Sequence, residues 1–367
     1  MFESAAEPFE MQRLGIVMRA DPDDPWEAWG VLNPGGVRGP DDEYYLFPRL
    51  VAEGNYSRIG RGRVIFNQQG DPVDVERLGL ALEPRESYER SQLGGGVEDP
   101  RVTYIPAMGS YVMTYTAYVP NMPRIALAIS TDLVHWERLG PLHFSSGPGE
   151  IDLNEIANKD ALLFPELVRD PNGQPSIALI HRPSFSLANS PALRSRPEVI
   201  WISYSPVVGD RIEVSNLMEM HEHRVLMTPQ ADWEHIKIGG GAPPVRLPYG
   251  WLMLYHGVSL QSSMYGQQLV YSAGAAVLDL TDPSRVLYQS PRPILKPELP
   301  HETQGIVPNV VFPTATDLRS DGRLDVYYGA ADAVIGAARL TVPATLPEQT
   351  TVSRVGEVAS ATVKSDS

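Results

Sequence analysis

The stretch GGGVEDPRVTYI, from Gly94 to Ile105, sets two carboxylates, Glu98 and Asp99, on a glycine-softened bend at the mouth of a β-rich run. Pro100 stiffens the chain beyond Asp99, and Arg101 stands two residues past it. Two readings compete. One is an Asp-Pro turn with a local ion pair. The other is a general acid, which needs a carboxyl held in advance of the reaction. A second set of residues bears on the choice. Arg49, Arg58, Arg182, Lys237, His256 and Tyr271 fall at the ends of strand-like runs, where Asp99 and Asp332 are the accompanying carboxylates. A local excess of cations suggests an anion site. The arginine fork suits phosphate oxygens, and lysine offers a point charge. Three glycines follow Lys237 in IKIGGGAPPV and let backbone approach a ligand closely. Each residue taken singly has an ordinary structural reading: a solvated arginine, a satisfied core histidine, a glycine bulge. The set carries the argument.

These residues need elements to bring them together. The chain has 367 residues, with 31 Gly and 34 Pro. Short β-branched and aromatic runs dominate, and long amphipathic helical patterns are hard to find. A recurring pair stands out: a Tyr-rich run, then one rich in Gly, Ala and Ser. YYLFPRL at Tyr44 precedes SRIGRGRVIF at Ser57, and YVMTYTAY at Tyr111 precedes RIALAIS at Arg124. SIALIHRP at Ser176 precedes VIWISYS at Val199, and WLMLYHGV at Trp251 precedes YSAGAAVLDL at Tyr271. LDVYYGAAD at Leu324 precedes VIGAARL at Val334. Successive units start about 65 to 75 residues apart, room for a four-stranded blade with generous loops. The reading is all-β, a five-bladed β-propeller with the small-residue runs as inner strands. A β-sandwich or two β domains is the alternative. STDLVHWERLG, from Ser130, adds a Ser-x-Asp turn and a Trp of the kind found in many sugar-active blades. No linker splits the chain, so residues 1–345 are read as one catalytic domain and 346–367 as a small, polar tail.

Composition narrows the function. The formal net charge is -15, which argues against a general nucleic-acid face. There is no cysteine, which removes disulfides and thiolate metal sites. No apolar stretch nears the roughly 20 residues of a membrane helix, and the acidic start MFESAAEPFEMQRLG is read as no signal peptide. The expectation is a cytoplasmic protein.

GVEDPRVTYI resembles the Glu-Asp-Pro-Arg signature of glycoside hydrolase family 130, the β-mannoside phosphorylases. NKDALLFPE (Asn158 to Glu166) is similar to that family's Lys-Asp-x-x-Leu-Phe-Pro-Glu segment, and LIHRP to its His-Arg segment. IKIGGGAPPV with GWLMLYHGV resembles the stretch carrying its Lys and His. GAAVLDLTDPSRVL, VPNVVFP and DVYYGAAD complete the order, over roughly Asn33 to Leu340.

The resemblance implies a five-bladed propeller that cleaves β-mannosidic bonds with inorganic phosphate and inverts the anomeric centre. Asp99 is then the acid, passing its proton through a sugar hydroxyl. Arg58, Arg182, Lys237, His256 and Tyr271 bind phosphate, and Arg49, Asn158, Lys159, Asp160 and Asp332 line the sugar pocket. Glu98 and Arg101 brace the bend. No metal or cofactor is implied beyond phosphate as co-substrate. The partners are a small carbohydrate and phosphate, without nucleic acid or membrane, and with a homo-oligomer possible. The chemistry is coherent with this. An inverting hydrolase needs a second carboxylate to activate water, whereas phosphate is already a nucleophile. One carboxylate and a cationic cradle are the expected inventory. Departures from the family pattern are Ser272 and Ala273 after Tyr271, Ala333 after GAAD, and the loop Ser184–Glu198 with Arg194 and Arg196. They bear on the acceptor sugar and leave the linkage open. The competing functions are an inverting β-mannosidase of the same family, a non-catalytic carbohydrate-binding propeller, and an arabinanase-like enzyme.

Overall fold

Short β-branched and aromatic runs broken by frequent Gly and Pro favour strands over helices, and the computed structural model is built almost wholly of sheet. It describes residues 8–348, apart from 92–93, 121, 147–150, 189–190, 210 and 264–265. Among these the α-helices are single turns of four or five residues. Most of the tail, from 349 onward, lies outside the described residues.

Strands pair mainly with their sequence neighbours, in antiparallel fashion. Gly30–Arg38, Tyr44–Ala52, Tyr56–Phe66 and Pro72–Leu82 form a first unit. Gly95–Ile105, Ser110–Tyr118, Arg124–Ser130 and Glu137–Pro141 form a second. These two are joined by a short parallel contact, Tyr56 with Gly95 and Ser57 with Gly96. A third unit runs Ala157–Leu163, Pro175–Ser184, Ile200–Pro206, Glu219–Met227. A fourth runs Lys237–Gly240, Gly250–Ser263, Gly266–Leu278, Val286–Gln289. In the last, Val311–Leu318, Leu324–Ala330 and Val334–Thr341 are completed by the N-terminal strand Glu10–Arg19, which places Glu10 opposite Thr341.

The larger core clusters lie between successive units. Phe47 and Ile59 meet Val97 and Met113. Val112 and Leu127 meet Leu163 and Leu179. Ile180 and Ile202 meet Trp251 and Met253. Leu252 and Val277 meet Val311 and Val326. Tyr327 and Ile335 meet Val31 and Leu46, so the last unit packs on the first. Burying apolar area between faces, rather than within one sheet, holds each unit against its neighbours.

One expectation is corrected. The small-residue runs are the third strands of their units, and the leading strands are Gly30–Arg38, Gly95–Ile105, Ala157–Leu163, Lys237–Gly240 and Val311–Leu318. The small residues make room for tyrosines one strand back. Tyr115 lies opposite Ala126, Tyr255 opposite Gly274 and Tyr328 opposite Gly336. A Cβ at Gly274 or Gly336 would fall 2.6 Å and 2.5 Å from those rings. The three hydroxyls donate to buried glutamates: Tyr115 to Glu89 at 2.7 Å, Tyr255 to Glu234 at 2.9 Å, Tyr328 to Glu302 at 3.1 Å. Each glutamate also accepts from backbone amides at the start of its own helical turn. The peptides SYE, DWE and PHE are thus a repeat that ties the entry of a unit to its second strand, while Glu27 of PWE, before the first unit, accepts instead from Arg77 on the fourth strand.

Candidate active site

Three leading strands break register at an Asn or Asp with left-handed backbone. Asn33 (φ 42°) sits between Leu32 and Gly35, Asp99 (φ 47°) between Glu98 and Arg101, and Asp160 (φ 57°) between Lys159 and Leu162. Asn and Asp tolerate this conformation best among residues with a Cβ, and a bulge re-aims the side chain it carries. In the fourth unit glycine is needed instead. A Cβ on Gly239 would lie 2.3 Å from His256 Cε1 and 2.5 Å from Asp160 Oδ2. Asp332 (φ 51°) enters from the turn between the last two strands of the chain.

These side chains converge on a cavity of about 190 Å³. Its walls carry four cations, Arg49, Lys159, Arg182 and Lys237, and four carboxylates, Glu98, Asp99, Asp160 and Asp332. The expected cationic excess is therefore corrected to an even balance. What remains is segregation by side. On one side Arg49 donates to Glu98 at 2.6 Å and to Asp99 Oδ1 at 3.2 Å, and Asn33 Nδ2 donates to the same Asp99 oxygen at 2.9 Å. On the other, Arg182 donates to Asp160 at 2.7 Å and to Glu198 at 2.5 Å. Lys237 Nζ lies 5.5 Å from the Tyr271 ring centroid, and that ring stacks at 6.0 Å on His256. Phe312 meets His256 edge-on at 4.4 Å.

Burial and neighbouring charge set the protonation states. Burial pushes the Asp332 carboxyl up to about 6, with Arg49 opposing and Asp99 reinforcing. Burial likewise raises Glu98 against the pull of Arg49. Asp160 is desolvated too, but Arg182, His256, Lys159 and Arg101 together hold it well below the usual carboxylate range. His256 is kept neutral by burial, and Lys237 is lowered by burial and then by Arg182. A neutral imidazole and a desolvated ammonium can both donate to an incoming anion.

Of the residues singled out in the sequence, Asp99, Arg182, Lys237, His256, Tyr271, Arg49, Lys159, Asp160 and Asp332 line this cavity. Arg58 does not. Successive strand residues face opposite ways, and Ser57 takes the side of Arg49 and Glu98, bonding Arg49 Nε at 2.9 Å. The Arg58 guanidinium is instead sandwiched between Trp26 and Tyr56, 5.3 Å from each ring. Asn158 also turns away, placing its amide within 3.1 Å of the buried His181 Nδ1. Sequence reasoning missed Asn33, Glu198 and Phe312. The triplets Asn33-Pro34-Gly35 and Asp99-Pro100-Arg101 share an Asx-Pro step at corresponding leading-strand positions, a signal that could have found Asn33. The competing turn reading, with Arg101 in a local ion pair, is not what forms at the bend, where Arg49 is the cation that pairs with Glu98 and Asp99. Arg101 reaches the Asp99 and Pro100 carbonyls rather than a carboxylate.

The chain is similar to several known proteins. The family model described as beta-1,4-mannooligosaccharide phosphorylase matches residues 14–346. A 1,2-β-oligomannan phosphorylase from Thermoanaerobacter sp. (strain X514) is 33% identical over 321 residues, covering 86% of this chain and 91% of that protein. A β-1,4-mannooligosaccharide phosphorylase from Ruminococcus albus is 36% identical over 280 residues, covering 76% and 72%. Among solved structures, a β-1,2-mannobiose phosphorylase from Listeria innocua in complex with β-1,2-mannobiose superposes with a TM-score of 0.64 at 24% identity, covering 92% of each chain. At that identity the likeness speaks to the fold.

Proposed function

The chain belongs to glycoside hydrolase family 130, and on that premise we propose that Asp99 and the Lys237 side of the cavity carry out phosphorolysis of β-mannosides. The enzyme is a glycoside phosphorylase acting on β-mannosides. The observation that carries the site assignment is the placement of Lys237, Arg182, His256 and Tyr271 together in the cavity that also holds Asp99. Phosphate held by that group attacks the anomeric carbon from the face opposite the leaving sugar. The carbon–phosphate oxygen bond forms as the glycosidic bond breaks. The Asp99 proton reaches the departing oxygen through a sugar hydroxyl, and α-mannose 1-phosphate and the shortened acceptor leave. Arg49, Lys159, Asp160 and Asp332 hold the mannose.

The cavity contains three carboxylates besides Asp99, so the inventory alone does not separate phosphorolysis from hydrolysis. Their partners favour phosphorolysis. Glu98 is bonded to Arg49 and Asp160 to Arg182. Asp332, raised to about 6 by burial, is the carboxylate that keeps the basicity to activate water. At that group the case for phosphorolysis rests on the cations around Lys237 rather than on a lack of base.

A five-bladed β-propeller is the architecture supported by five inter-unit cores and by the pairing of the first strand with the last. Residues 1–345 then form one catalytic domain, and the working location is the cytoplasm. The deciding experiment follows release of mannose 1-phosphate from β-1,2- and β-1,4-mannobiose, with and without inorganic phosphate. Phosphate-dependent release is expected. Free mannose released equally well without phosphate would establish the hydrolase instead.

A further inference from the structure

Arg101 lies beneath the cavity, 1% exposed, and is not among the residues lining it. Its Nε donates to the Gly241 carbonyl, just beyond the strand that carries Lys237. Its Nη1 donates to the Asp99 carbonyl at 2.9 Å and the Pro100 carbonyl at 3.2 Å. The guanidinium carbon stands 5.5 Å from the centroid of Phe312, the ring that packs on His256. Nη2 is buried without a hydrogen-bond partner. Among the described residues no carboxylate lies within ion-pairing distance of it. Burying a cation this way is costly, and a smaller neutral donor could cap the same carbonyls at less cost. Two features of guanidinium answer the cost. Its planar fork reaches carbonyls on two different units at once. Its charge also acts on the groups above, helping to keep Asp160 ionised and His256 neutral.

We propose that Arg101 is a positioning residue, whose fork fixes the spacing between the left-handed peptide at Asp99 and the strand that presents Lys237. This rests on the phosphorylase reading. There the proton donor and the nucleophile work on opposite faces of one anomeric carbon. A 1 Å error in such an arrangement can cost roughly 100-fold in rate. Arg101 sets that distance from below without touching either reactant.

The test compares Arg101→Lys and Arg101→Gln with the wild type, reading kcat, the KM for phosphate and the melting temperature. Lysine keeps the charge but cannot fork, and glutamine keeps a donor without charge. Folded Arg101→Lys is expected to lose about 10- to 100-fold in kcat, with the KM for phosphate within about threefold of wild type. A kcat within twofold of wild type in a folded variant overturns the proposal. So does a defect confined to the KM for phosphate. Should neither variant fold, Arg101 is structural and the proposal fails as well. The wild type is assayed beside them with and without phosphate. Turnover that ignores phosphate removes the phosphorylase reading, while the kcat comparison still decides the role of Arg101.

Discussion

Asn33 Nδ2 donates to Asp99 Oδ1 at 2.9 Å, and both residues hold left-handed backbone on the leading strands of adjacent units. The same oxygen accepts from Arg49 at 3.2 Å, so one side of the carboxyl is occupied by protein donors. Two bulges 66 residues apart thus aim one side chain at the other.

This contact predicts a graded pair of effects. Asp99→Asn keeps the shape and removes the acid, and turnover should fall by about 10²- to 10⁴-fold with the melting temperature little changed. Asn33→Gly keeps the backbone conformation without strain and removes only the donor, so a smaller loss of roughly tenfold is expected. Steady-state kinetics and thermal melts of both variants check the order. A larger kinetic loss in Asn33→Gly would move the essential proton chemistry away from Asp99.

Lys237 and Arg182 should not behave alike on truncation. Lys237 has no carboxylate within ion-pairing distance among the described residues, so on the phosphorylase reading Lys237→Ala removes a phosphate contact and the approach to the Tyr271 ring but strands no buried charge. Its KM for phosphate should rise roughly 10- to 100-fold, from a contact worth about 1.5–3 kcal/mol. Arg182→Ala also strands Asp160, which is buried and bonded to it at 2.7 Å. Breaking such a pair typically costs about 3–5 kcal/mol, so this variant should melt markedly lower as well. Equal melting temperatures for the two would show that the Arg182–Asp160 pair is not structural.

Arg58→Ala should leave phosphate use unchanged. The guanidinium lies between Trp26 and Tyr56, on the face of its strand away from Ser57 and Glu98. A modest loss of stability, on the order of 1 kcal/mol, is expected from the lost stacking. A tenfold rise in the KM for phosphate would return Arg58 to the cradle.

Asp332 makes stability depend on pH. Its folded pKa of about 6 exceeds the unfolded value of about 4, so the folded state binds the proton more tightly. The stability tied to this carboxyl is present below about pH 4 and is lost as pH rises toward and through 6, by up to about 3 kcal/mol. Asp332→Asn abolishes the dependence, and Asn accepts the left-handed φ of 51°. The variant should gain more in melting temperature at pH 7.5 than at pH 4.5. An identical shift at both values would mean that Asp332 does not titrate in this window.

The ordered segments around Asp99, Asp160, Arg182, Lys237, His256 and Asp332 were legible because each is local: a short peptide of unusual composition at a strand end. The pairing of tyrosine-rich with small-residue runs was equally legible, since it repeats along the chain. Which of those strands leads its unit was not. That depends on Ala126, Gly274 and Gly336 lying opposite Tyr115, Tyr255 and Tyr328, a matter of cross-strand register.

By itself, then, the sequence determined the all-β class, the family and the main chemical groups, since these reside in residue type and short spacing. Tertiary structure alone decided which groups share a space. Arg58 and Ser57 are neighbours in the chain, yet a strand sends them to opposite faces, and only Ser57 reaches Arg49 and Glu98. Asn158 and Lys159 part in the same way, one to His181 and the other to the cavity. The even charge balance of the site and the Asn33–Asp99 contact also arise between units, where no local pattern specifies distance. Closing the last strand unit onto the first sets those distances.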